Sequence, residues 1–242
     1  FLGGAHQTAR RLLDEGAIGQ PLSGTAFMMN HGHEHWHPDP RFYYLPGGGP
    51  MLDMGPYYLT NLVQLLGPVA AVTGVTASGF AERVVGSGPR AGEVVRVETP
   101  THVAGLLRFA GGAVVSVTTS FDVWQHRHGH IEIYGTEGTL AVPDPNRFGG
   151  TVSLAKRREP WLDVPLSHGF ADGNFRILGL ADMAHAIRAG RPHRCGAELA
   201  FHVLEVMEAF LRAGEEGRTI GITSRCERPA PLPPRPVAGE LD

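Results

Sequence analysis

Lysine and cysteine are nearly absent from this chain. Lys156 is the only lysine in 242 residues, so almost all permanent positive charge is arginine. Lysine and arginine together number 21 against 24 carboxylates, a formal net charge of −3. That balance leaves no basic surplus for a phosphate backbone, and a nucleic-acid partner is not expected. Cys195 and Cys226 stand in neither paired nor metal-like spacing, which argues against a disulfide framework and fits a reducing, cytoplasmic setting. Long apolar runs are missing too. "LVQLLGPVAAV" is broken by Gln, Gly and Pro and is too short to span a bilayer, so no membrane association is expected. A Gly-rich phosphate turn needs G-x-G-x-x-G directly after a strand and opening a helix. "GGAHQTAR" has two glycines and no third in place, and there is no Walker-type loop.

What is present is globular. The 42% hydrophobic content suffices for one large domain or two small ones. "FLGG" reads as the end of a buried strand, with a segment expected before it. "HQTARRLLDEGAIG" places Ala9, Leu12 and Leu13 on one helical face and stops at Gly16. "PLSGTAFMMNHGHEHWH" alternates around Ala26 and Met28 and reads as a strand. From Val69 to about Ala155, β-branched runs alternate with Gly-rich turns, and "RFAGGAVVSV" and "YGTEGTLAV" read as hairpins. "NFRILGLADMAHAIRAGRP" has helical spacing at Ile177, Leu180, Met183, Ala184 and Ile187. "GAELAFHVLEVMEAFLRAGEEG" has it at Leu199, Val203, Val206, Met207 and Phe210. The expected fold is α+β: a large, mostly antiparallel open sheet with helices packed on one face. Three units are expected: a linker helix over 1–20, an α+β domain over 21–224, and a proline-rich tail over 225–242, extended or disordered.

Two stretches carry candidate chemistry. In "GGGPMLDMGPYYLTNLVQLLG", residues 47–67, glycines and prolines lead into an apolar helix. Pro56 places the helix start near Asp53 to Pro56, with Asp53 as N-cap. Asp53, Tyr57, Thr60 and Gln64 then form one polar stripe, opposite Leu52, Gly55, Leu59, Leu62, Val63 and Leu66. Glycines such as Gly48 and Gly49 allow a ligand to approach the backbone closely. The plain alternative is that Asp53 caps a helix and Tyr57 is a half-buried phenol.

The second stretch is "HGHEHWHPDPRFYY". On a strand, His31, His33, His35 and His37 would face one side and could bind a divalent metal, with His126, His128, His130 or His168 completing a hydrolase centre. The competing reading, adopted here with no metal assigned, is a cleft edge where His33, Trp36 and His37 touch a ligand. The aromatic run Phe42, Tyr43 and Tyr44 follows it. Aromatic rings beside hydrogen-bonding groups suit sugars, which have apolar faces and polar rims.

With those residues in view, the chain resembles the Gfo/Idh/MocA oxidoreductases, the glucose–fructose oxidoreductase and inositol dehydrogenase family. "GGGPMLDMGPYYLTNLVQLLGPV" resembles its glycine-rich motif. "FLGGAHQTARRLLDEGAIGQPLSG" is similar to its interdomain segment, and "LADMAHAIRAGRPHRCGAELAFHVLEVMEAFLRAGEEGRTI" to its closing helices. The resemblance implies NAD or NADP as cofactor, held mainly on an N-terminal Rossmann domain that this chain lacks. It implies a sugar, cyclitol or polyol substrate, and a homo-oligomer formed through the open sheet face. Asp53 matches the motif's aspartate. Tyr57 stands where many members carry histidine, as the proton-transfer residue. His33, Trp36, His37, Tyr43, Tyr44, Gly48 and Gly49 are assigned to substrate, and Gln7 to the cofactor. The family's E-K-P lysine is absent, and Thr60 replaces its second acid. The isolated chain is accordingly expected to be inactive. A non-catalytic sugar-binding or assembly module of the same fold is the alternative reading, and the His-rich hydrolase is a third.

Overall fold

Alternating burial at Gly24, Ala26 and Met28 seats β1 (Pro21–Met29) in the middle of a nine-stranded sheet. The computed structural model describes residues 1–235 and 241. The remaining sheet strands are β2 (Val69–Ala77), β5 (His102–Phe109), β6 (Val114–Ser120), β7 (Ile131–Gly135), β8 (Gly138–Val142), β9 (Val152–Lys156), β10 (Leu162–Val164) and β11 (Ile220–Gly221). Their order is β10-β9-β8-β7-β1-β6-β5-β2-β11. All pairings are antiparallel except β1–β6, which run parallel from Ser23↔Val114 to Met29↔Ser120. The α+β expectation of a large, mostly antiparallel sheet holds, and the expected hairpins are β5–β6 and β7–β8. A separate small hairpin, β3 (Glu82–Val84) with β4 (Val94–Arg96), rises from the β2–β5 connection.

Three helices pack on the sheet: α1 (Gly4–Asp14), α2 (Gly49–Leu66) and α4 (Ala197–Glu216). The expected stripe Leu199, Val203, Val206, Met207 and Phe210 on α4 is wholly buried. Each such side chain contributes on the order of 1.5–3 kcal/mol relative to exposure, which is why α4 lies flat along β2 and β5. The helix ends at Gly217, whose φ of 65° closes the last turn onto the carbonyl of Ala213. The "FLGG" stretch is not a strand; α1 begins at Gly4, and a Cβ on Gly3 would stand 2.6 Å from the Cα of Phe148. Ala5, Ala9 and Leu12 belong to the main core, so α1 is integral to it.

The third helix departs from its expected orientation. In α3 (Leu178–Ala189) the stripe Ile177, Leu180 and Ile187 is exposed, while Leu178, Asp182 and Ala186 are buried. The buried Asp182 accepts hydrogen bonds from Arg191 and from both backbone and side chain of Arg194. An ion cluster, not the apolar stripe, therefore sets the rotation of α3.

The proline-rich tail has no regular secondary structure in its described part, which is docked. Leu232 donates its N–H to Gln7 at 2.8 Å, and Arg228 bonds the carbonyl of Gln64 at 3.0 Å and Asp14 at 2.8 Å. Residues 236–240 and 242 of the expected tail lie outside the described residues.

Candidate functional site

Helix α2 carries the two central side chains, and it starts earlier than its proline pattern suggests. Gly48 is the N-cap residue and Pro50 occupies the first turn, where a missing N–H costs nothing. Asp53 thus lies one turn inside the helix and is not its cap. Pro56 sits within the helix; it has no N–H, so the carbonyl of Leu52 loses its usual partner. Asp53 and Tyr57 are one turn apart on the same face, both half-exposed. The lower end of the expected polar stripe turns inward: Gln64 is fully buried, bonding Asn61, His6 and Gln7.

The loop after β1 folds over this face. Its strand ends at Met29, because the chain turns where Asn30 Oδ1 accepts the N–H of Gly32 at 2.8 Å. The four alternating histidines are therefore not on a strand, and their rings disperse. His31 stacks on Trp124 with centroids 3.2 Å apart. His33 turns to α2, with Nε2 3.2 Å from Asp53 Oδ2. His35 is exposed, and His37 Nδ1 accepts the N–H of Asp39 at 3.1 Å. Among the described residues no three His, Cys, Asp or Glu side chains gather in a metal-binding group.

Around His33 the aromatics form a shelf. Tyr43 tilts against it at 4.3 Å, and Trp36 meets it edge-on at 5.4 Å. His37 in turn packs edge-on with Trp36 at 5.3 Å and with Tyr43 at 5.5 Å. Trp36 is 53% exposed, so its face is open to a ligand. The Tyr43 phenol is raised above the ordinary value, first by burial and then by the facing Asp53 and Tyr57. The structure thus brings His33, Trp36, His37, Tyr43, Asp53 and Tyr57 to one place.

Four other expected site residues lie elsewhere. Tyr44 is fully buried, and its hydroxyl bonds Glu34, which Arg83 also engages at 2.9 Å. Burial, reinforced by Glu34, raises the Tyr44 phenol strongly. A Cβ on Gly48 would strike the carbonyl of Phe42, and one on Gly49 would stand 2.8 Å from that of Pro100. These glycines admit protein backbone, not a ligand. Gln7 is buried, its amide bonded to the carbonyl of Phe1 at 3.0 Å and to Gln64 at 3.4 Å. Both of its donors are thereby engaged by the protein.

Sequence reasoning missed Arg176. Its Nη1 donates to Tyr57 Oη at 3.0 Å, and its Nη2 to Asn146 Oδ1 at 2.6 Å. The guanidinium also lies 5.2 Å from the Tyr57 ring centroid. No local spacing announces a contact across 119 residues. The neighbouring Tyr58 is buried and hydrogen-bonded to His130 at 2.9 Å and Asp144 at 3.3 Å, which pins the β8–β9 loop beside α2. A cavity of about 640 Å³ opens there, lined by Asp144, Asn146, Arg147, Gly173, Asn174 and Arg176 among others. A larger one of about 900 Å³ lies under the tail, near Leu199 and Cys226, and touches none of these groups. The smaller cavity is the one lined by Arg176, the partner of Tyr57.

The GFO/IDH/MocA C-terminal domain model matches residues 6–141, more than half of the chain. The chain belongs to the Gfo/Idh/MocA family. Among solved structures, this Gfo/Idh/MocA domain is similar to levoglucosan dehydrogenase in its apo form, at 22% identity and a TM-score of 0.74, covering 92% of this chain and 64% of that one. It is similar to an NAD binding oxidoreductase from Klebsiella pneumoniae at 19% identity and a TM-score of 0.73, covering 91% and 64%. An aldose-aldose oxidoreductase from Caulobacter crescentus, complexed with glycerol, gives 24% identity and a TM-score of 0.69, covering 90% and 61%. At these identities the likeness establishes the fold. The chain spans under two thirds of the length of each of these solved chains. Among curated proteins no relative matches.

The cation facing Tyr57 is Arg176. Lys156 is exposed at the end of β9 and belongs to another part of the sheet. Both cysteines are free. Among the described residues no helix is long and apolar enough to cross a membrane.

Proposed function

We propose that this Gfo/Idh/MocA domain is the substrate-binding part of an NAD(P)-dependent oxidoreductase acting on a sugar, cyclitol or related polyol. The observation that carries the reading is the adjacency of Asp53 and Tyr57, half-exposed between the His33–Trp36–Tyr43 shelf and Arg176. Arginine only donates, so Tyr57 Oη accepts from Arg176 and its own hydrogen stays free to point at a substrate oxygen. Tyr57 is then the group that moves a proton to or from the reacting hydroxyl or carbonyl. Asp53, held by His33, orients neighbouring hydroxyls, and Trp36 offers an apolar surface to the ring.

The residues present do not fit a whole dinucleotide. The sequence has no phosphate-cradling glycine fingerprint, and Gln7 is engaged by Phe1 and Gln64. The nicotinamide cofactor is therefore assigned to a nucleotide-binding domain outside this chain, and no step is derived through it here. Two features support such a domain: the solved relatives are longer, and Ile177, Leu180 and Ile187 leave an apolar stripe on α3 uncovered. The open sheet face exposes Val75, Leu106 and Val114, which supports association of copies through it.

The test joins this chain behind a nucleotide-binding domain of the family and measures NAD(P)H formation with a panel of sugars and cyclitols. Polyol-dependent reduction of NAD or NADP is the expected result. Sugar binding without turnover would make it a non-catalytic module. Stoichiometric zinc in the purified protein would revive the hydrolase.

A further inference from the structure

The cavity beside Tyr57 has an unusual charge inventory. Arg147 and Arg176 both line it. Among the described residues neither guanidinium has a carboxylate partner, and the Arg147 side chain makes no hydrogen bond. Arg176 has five donors. Its bond to Tyr57 occupies Nη1 once, and its bonds to the side chain and carbonyl of Asn146 occupy Nη2 twice. Nε and one hydrogen on Nη1 remain open. Among the described residues the only carboxylate lining the cavity is Asp144, whose Oδ1 accepts from the N–H of Asn146 at 3.0 Å and from Tyr58. Two arginines thus line a cavity whose one acid, among the described residues, already accepts from its own loop and from α2.

Geometry fixes what such a cavity can take. Its volume of about 640 Å³ lies inside the range of about 300–1,000 Å³ that small-ligand sites occupy. Gly149, Gly150 and Gly173 on its wall expose backbone, and the amides of Asn146 and Asn174 offer neutral donors and acceptors. A planar guanidinium matches a carboxylate in a two-point fork; Arg147 has that edge open, and Arg176 adds single bonds from Nε or Nη1. Because Arg176 also holds Tyr57 Oη, an acid bound to it lies one residue from the proton-moving hydroxyl.

Building on the polyol reading above, we propose that the substrate is a sugar acid, with its carboxylate held by Arg176 and Arg147 and a hydroxyl presented to Tyr57. Neutral sugars would fill the same shelf at His33 and Trp36 but leave two guanidinia without a counter-charge. The shared chemistry, an anionic oxygen pair, could also be a phosphate group, so the experiment separates the two sources.

Calorimetric titration of this chain at low salt with D-glucuronate, D-glucose and inorganic pyrophosphate tests the proposal. Glucuronate is expected to bind at least about tenfold more tightly than glucose, since charged hydrogen bonds contribute about 1.5–3 kcal/mol. The gap should shrink as salt is raised and close in the double variant Arg147→Gln, Arg176→Gln. Arg176→Lys, keeping the charge without the planar donors, should retain part of it. Asp53→Asn should weaken both sugars. Equal affinity for the two sugars overturns the acid preference and leaves the polyol site standing. Tighter binding of pyrophosphate through the same arginines overturns it in favour of a phosphate pocket. Binding of neither sugar overturns the polyol reading and this proposal together.

Discussion

His33 Nε2 lies 3.2 Å from Asp53 Oδ2 and joins the loop after β1 to the exposed face of α2. The imidazole therefore sets the orientation of the carboxylate that the proposed function turns toward substrate. Replacing it by alanine frees that carboxylate and removes the ring on which Tyr43 and Trp36 lean. His33→Ala is expected to weaken sugar binding about tenfold, the equivalent of one charge-assisted hydrogen bond, with little change in the midpoint of urea unfolding. Titration of the variant with a bound polyol checks it.

Beneath that shelf, Arg83 joins β3 to Glu34 and Asp122, and Glu34 receives the Tyr44 hydroxyl. The Arg83 side chain is 3% exposed. Removing Glu34 leaves Arg83 with Asp122 as its counter-charge but strips a charged hydrogen bond from both Arg83 and the buried Tyr44 hydroxyl, at about 1.5–3 kcal/mol each. Glu34→Ala should therefore lower the urea midpoint strongly. Tyr44→Phe should lose stability more modestly while leaving the KM for sugar unchanged in the joined enzyme. A raised KM would return Tyr44 to the binding surface.

Stability should fall in mild acid. Burial, and then the nearby amino terminus, lowers His6 to about 3. His202 is lowered by burial, and its Nε2 accepts the N–H of Val69 at 3.0 Å, so it is neutral when folded. His168 is lowered by burial as well. For each, the unfolded chain binds the extra proton near pH 6.5, whereas the folded chain resists it. Their contribution is therefore complete above about pH 6.5 and is lost as pH falls, for His6 down to about 3. Glu205 adds a later loss. Burial opposes its ionisation, but hydrogen bonds from Ser224 and Thr223 prevail and hold it at about 2. Urea midpoints at pH 7.5, 6 and 4.5 (about 1.5 units apart, spanning these shifts) should decline in that order, and His6→Gln should flatten the slope.

How much of this was legible in the sequence follows the range of the interactions. Helices α1 and α4 and the hairpins β5–β6 and β7–β8 rest on local periodicity and turns. The parallel pairing of β1 with β6 has no local signature, because Ser23 meets Val114 only once the sheet is assembled. The face of α3 was misread because a buried Asp182, not apolar area, sets its rotation. At the site, Asp53 and Tyr57 were legible as helix neighbours. Their partners His33 and Arg176 arrive from loops 20 and 119 residues away. The histidine alternation misled because the strand it needed ends at Met29.

The glycine that opens α2 makes a separate prediction. Gly49 has a φ of 87° with the Pro100 carbonyl close by. Gly49→Ala combines left-handed strain of about 1–3 kcal/mol with a backbone collision. It should cost at least that much in urea unfolding and displace the first turn of α2, lowering sugar affinity with it.

The account depends most on the Tyr57 hydroxyl. In the joined two-domain enzyme, steady-state kinetics of Tyr57→Phe against the parent test it directly. Loss of a proton-transfer group should lower kcat by about 10²–10⁴-fold with KM changed little. A Phe variant that turns over sugar at the parental rate would contradict the account.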